Sequence, residues 1–143
     1  MTTKNASAPL IREPNPSKKY FTVDEANRAL SYVMKVVDDI AARYSEVVQL
    51  RRRIELPRLE DKIDALEADY GESMDRLNAL VDELQHVGVE LKDFEKGLVD
   101  FPAIHEGREV FLCWRRGESE IEAWHEFDAG FVDRQDLAQL NNV

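Results

Sequence analysis

Two long amphipathic stretches come first, and a block of short alternating ones follows. From Ala26 the apolar positions run Ala26, Leu30, Val33, Val37, Ile40, Tyr44 and Val47, then through Arg51 to Ile54, in steps of four and three. That spacing keeps one stripe of a helix against a neighbour along its whole length. Thr22-Val23-Asp24-Glu25 has the spacing of a capping box, so the helix should begin near residue 23. It should end near residue 55, because Leu56 precedes Pro57 and a residue before proline is driven out of the helical region. At ~1.5 Å per residue this is a rod on the order of 50 Å long.

A second seam runs Leu59, Ile63, Leu66, Tyr70, Ser73, Leu77, Leu80, Leu84 and Val87, and stops at Gly88. Glycine there suits the left-handed residue that closes many helices. The pattern predicts a helix over about 58–87, folded back on the first as an antiparallel hairpin. The competing arrangement, one long kinked helix pairing in trans, needs a second chain.

After Gly88 the period shortens to two. Strands are predicted over about 98–103, 108–115 and 120–127, with turns at His105-Glu106-Gly107 and Gly117-Glu118-Ser119. Val89 to Asp93 also alternates and is a candidate edge strand. The expected fold class is α+β: a long antiparallel helical hairpin followed by a three-stranded antiparallel β-meander. Turn lengths set Phe101 opposite Val110, Val99 opposite Leu112, and Ala123 beside Leu112. One face then holds Val99, Phe101, Val110, Leu112, Trp114, Ile121 and Ala123 and should lie on the hairpin. The other holds Leu98, Asp100, Phe111, Cys113, Glu122 and Trp124, too mixed for a solvated face, so something should cover it.

Composition narrows the function classes. The chain has 143 residues, one domain's length, and 29 acidic against 19 basic residues for a net charge of −10. That balance argues against binding nucleic acid or an anionic membrane surface. The run Arg51-Arg52-Arg53 faces Glu60-Asp61 across the hairpin turn, which suits a solvated ion-pair patch. A single cysteine excludes an internal disulfide and a multi-cysteine zinc site. No apolar run approaches the ~20 residues that span a bilayer, and no signal peptide opens the chain, so a cytoplasmic location is expected. Residues 1–19 mix Pro, Ser, Asn and charge without a period and are expected to be a disordered tail ahead of a single domain over 20–143.

No phosphate-binding loop, nucleophile elbow, paired-histidine zinc helix or calcium loop is present. Candidate chemistry is a local concentration of groups in the C-terminal block. His125, Asp100, Glu118 and Arg134 are the catalytic candidates. His125, Asp100, Glu118, Glu120 and Asp128 are the candidates for an oxygen-rich metal site with one imidazole, while Glu126 lies beside them. Cys113, mid-strand, reads as a small buried hydrophobe. A ligand or proton-carrying His125 must meet a carboxylate, whereas a structural one should place its nitrogens on backbone groups. No cofactor is expected beyond a divalent metal.

The residues Tyr20-Phe21-Thr22-Val23-Asp24-Glu25-Ala26-Asn27, Gly97-Leu98-Val99-Asp100-Phe101-Pro102, Gly107-Arg108-Glu109-Val110-Phe111-Leu112-Cys113-Trp114, Gly117-Glu118, Trp124-His125-Glu126, Gly130-Phe131 and Arg134 carry a resemblance. Together they resemble a family of small, mostly bacterial, cytosolic proteins known only as a domain of unknown function, twenty-two oh three in that series. The resemblance spans roughly Tyr20 to Leu137. It implies that the C-terminal block is the shared signature while the helices vary, and it brings no activity with it. The residues before Tyr20 depart from the family pattern.

Two functions stand as expectations. One is a non-enzymatic interaction or assembly module, a homo-oligomer or a partner of another protein. Met34, Ala41 and Val48 on the first helix, with Met74 and Val81 on the second, form an apolar strip that one seam leaves uncovered. The other is a small metal-dependent or acid–base enzyme using the C-terminal block.

Overall fold

The computed structural model describes residues 11–140. Helix α1 spans Val23–Glu55 and opens on the predicted capping box. The Glu25 amide donates to the Thr22 hydroxyl at 3.1 Å, and the Thr22 amide donates to the Glu25 carboxylate at 2.9 Å. Helix α2 spans Ile63–Val87 and is closed by Gly88, whose φ of 100° is the left-handed one. It starts later than the apolar pattern implied. The Asp61 carboxylate accepts the Arg58 amide at 2.8 Å and pairs with Arg53, which holds residues 57–62 as a loop. Leu59, the first position expected on the seam, is therefore fully exposed.

Five strands follow: β1 Glu90–Asp93, β2 Leu98–His105, β3 Arg108–Arg115, β4 Ala123–Glu126 and β5 Gln135–Asp136. They form one antiparallel sheet in the order β1-β2-β3-β4-β5. The fold is α+β, with five strands in place of the expected three. The candidate edge strand is β1, and β5 is only two residues long, too short to display a period.

The β2–β3 turn is the two residues Glu106 and Gly107, both at positive φ (51° and 78°), as a tight hairpin requires. Phe101 consequently pairs with Leu112 and Val99 with Trp114. That is two residues from the expected register, and a shift of two leaves every side chain on its expected face. On the helix side, Val99, Phe101, Leu112 and Trp114 join Leu30, Val33, Val37, Ile40 and Leu84 in one core, with Phe21 edge-on to Phe101 at 5.3 Å.

Burial thins towards the far end of the hairpin. Beyond Ile40, α1 buries only Val47, and before Ser73, α2 buries only Leu66. Among the described residues no helix is long and apolar enough to cross a membrane.

Of the expected tail, residues 1–10 lie outside the described residues. The stretch just after them is engaged with the sheet. The Glu109 amide donates to the Arg12 carbonyl at 2.7 Å, and the Phe21 amide to the Pro102 carbonyl at 2.7 Å. Lys18 pairs with the Glu109 carboxylate, which also accepts the Tyr20 hydroxyl at 2.8 Å. Arg12 sits over the Phe127 ring, and Phe127 stacks on Phe111. The mixed sheet face is thus covered by the chain's own flanking segments.

Candidate functional site

The site arises from a one-residue slip between β3 and β4. After Arg115 the chain turns at Gly117, then crosses to α1, where the Ile121 amide donates to the Asn27 side-chain oxygen at 2.8 Å. β4 therefore begins at Ala123, and Ala123 pairs with Cys113, not with Leu112 as expected. A slip of one exchanges the faces. Trp124 moves to the helix side opposite Leu112, and His125 moves to the face that carries Asp100 and Cys113.

There the His125 Nε2 meets Asp100 Oδ1 at 3.0 Å, and Nδ1 meets the Glu126 carbonyl at 2.8 Å. The carbonyl only accepts, so Nδ1 carries a proton. Burial works against a charged ring, yet hydrogen bonds to Asp100 and Cys113, the Asp100 charge and the Glu126 carbonyl outweigh it. The His125 pKa is pushed up to about 10. His125 is accordingly an imidazolium ion-paired to Asp100, with side chains only 2% and 6% exposed. It meets the carboxylate required of a ligand or proton carrier, and only one of its two nitrogens lies on a backbone group, where a purely structural histidine was expected to place both. Arg108 fixes the strand end by a bidentate pair to Glu126 at 2.7 and 2.9 Å.

Beside this pair stands a second one. Arg134 forks onto Glu118 at 2.7 and 3.2 Å and lies 4.2 Å over the Phe131 ring. Glu118 holds the Arg134 guanidinium even further above its ordinary pKa, against the opposing effect of burial, with Cys113 adding to the rise. Glu118 also accepts the Arg115 amide at 2.7 Å, and its carbonyl accepts the Trp114 indole N–H at 2.9 Å. The turn after β3 and the short segment before β5 are locked together by these contacts.

Among the described residues, the acidic, thiol and imidazole groups that come together closely enough for one metal ion are Asp100, Cys113 and His125. One ligand atom of each lies within 4.8 Å of the others. Glu118 is engaged by Arg134, and Glu120 and Asp128 sit exposed in the flanking loops. Asp100 and His125 were legible candidates; Cys113 was not, although strand alternation already put it on the face of Asp100.

The family model that matches the chain covers residues 19–137, which takes in both helices and all five strands. The chain belongs to the DUF2203 family of uncharacterized conserved proteins. Neither a curated protein nor a solved structure matches it. The DUF2203 match includes the whole cluster, Asp100, Cys113, Glu118, His125 and Arg134, as well as the hairpin.

Proposed function

We propose that this DUF2203 protein is a non-enzymatic, cytoplasmic assembly module that self-associates through its helical hairpin. The observation that carries the proposal is the hairpin tip. Leu56 and Leu59 are 82% and 107% exposed there, and Ile63 beside them is also exposed. Three large aliphatic side chains in water at the end of a paired-helix rod suit a surface that is covered in an assembly.

The expected apolar strip takes a different form. Met34, Met74 and Val81 pack against the core, whereas Ala41 and Val48 line a groove of about 300 Å³ together with Tyr44 and Phe94. The burial of the Asp100–His125 pair weighs against the enzymatic alternative, since a proton carrier must reach its substrate. Light scattering at micromolar concentration tests the proposal. A dimer or larger assembly is expected for the wild type, and a monomer for Leu56→Glu/Leu59→Glu. A wild type that is monomeric under those conditions defeats it.

A further inference from the structure

We propose that Asp100, Cys113 and His125 form a site for one zinc ion, held between β2, β3 and β4. Each ligand comes from a different, adjacent strand, so the hydrogen-bonded sheet, not a loop, sets the spacing. The three ligand atoms already lie within 4.8 Å of one another, which leaves a short contraction to a tetrahedral shell. The donor set is decisive for the class of ion. One sulfur, one imidazole nitrogen and one carboxylate oxygen suit a borderline-soft divalent ion such as Zn²⁺, and not calcium or magnesium, which take oxygen alone.

The surroundings support the same assignment. Metal-binding histidines commonly give their second ring N–H to a carbonyl, which fixes the ring and presents the other nitrogen. His125 does this: Nδ1 is tied to the Glu126 carbonyl, and Nε2 points at Asp100. Arg108 in turn holds Glu126 in place. Binding releases the Nε2 proton of His125 and the thiol proton of Cys113 to solvent. The doubly charged ion held by a thiolate, a carboxylate and a neutral imidazole then makes a set with no net charge, which suits a place this deeply buried. The nearby Arg134 charge is countered by its own forked pair with Glu118. Among the described residues no fourth acidic, thiol or imidazole group joins these three. The site is independent of the hairpin surface, and either proposal stands if the other fails.

The test is a titration of the chelator-treated full chain with Co²⁺, followed by displacement with Zn²⁺. Because Cys113 is the chain's one cysteine, a thiolate-to-cobalt charge-transfer band in the near ultraviolet reports this site alone. The expected result is a band that saturates at one equivalent and is lost on adding Zn²⁺. It should be absent in Cys113→Ala, and binding should weaken about tenfold or more in His125→Gln and Asp100→Asn. Circular dichroism verifies that each variant is folded. A folded wild type that binds no Co²⁺, or binds it without the sulfur band, overturns the proposal whatever the variants do.

Discussion

His125 and Asp100 stand twenty-five positions apart on strands that do not pair with each other, yet their side chains meet at 3.0 Å across β3. Both are shut away from water, so removing one leaves the other without its charged partner in a place that water does not reach. Asp100→Ala is expected to cost about 3–5 kcal/mol, the usual penalty for orphaning one half of a buried pair. Urea denaturation measures it. A loss below about 1 kcal/mol would mean the pair is not intact in solution.

The same pair gives the metal-free protein a pH dependence of definite sign. His125 binds its proton more tightly when folded, with a pKa of about 10 against 6.5 for a free side chain. The folded chain therefore holds more protons than the unfolded one between those values, and stability falls as pH rises through them. The contribution is complete below about pH 6.5 and gone above about pH 10. Denaturation midpoints across that window should decline in the wild type and do so much less in His125→Gln. Parallel profiles for the two proteins would count against the charged ring.

Leu77 and Leu80 occupy successive positions of the α2 seam but not equivalent surroundings. Leu77 is buried, while Leu80 packs only partly against the core. Leu77→Ala should cost about 2–5 kcal/mol and Leu80→Ala distinctly less. Equal shifts in thermal melts would mean the helix is rotated from the orientation described.

Gly97 and Gly107 both need positive φ, and only one is also crowded. A Cβ on Gly97 would come within 2.7 Å of the Arg116 Cβ and 3.1 Å of a Val37 methyl, whereas one on Gly107 meets nothing within 4 Å. Gly107→Ala should therefore cost about 1–2 kcal/mol from backbone conformation alone, and Gly97→Ala more. Melting curves rank the two. A milder effect at Gly97 would show that the β1–β2 turn yields easily.

What was legible in the sequence follows the range of the forces involved. α1 could be read to the residue because a capping box, an unbroken apolar seam and a proline all act within a few positions. The start of α2 could not, because the Asp61 side chain competes for the loop through Arg53 and Arg58, against the apolar pattern at Leu59. The β2–β3 faces survived a register error of two, since side chains alternate with that same period. The β3–β4 faces did not survive an error of one, and the chain ahead of β4 is tied at Ile121 to Asn27 on a helix 94 positions away, a contact the local pattern does not show. Asp100, Glu118, His125 and Arg134 could be named as candidates from their types and proximity in the chain. That His125 joins Asp100 and Cys113 follows from the β3–β4 register, and that Glu118 meets Arg134 follows from a loop contact, neither of which the local pattern specifies.

The grip of Lys18 and Tyr20 on Glu109 also bears on how the chain is made. Their partner lies 91 and 89 positions further on, in β3. A chain emerging from its N-terminus has built both helices, β1 and β2 before that carboxylate exists. Closing contacts of such long sequence separation carries a large loop-closure cost. The segment ahead of α1 is synthesised early but has no Glu109 to grip until β3 has been made, so its anchoring ties the first part of the chain to a strand made much later.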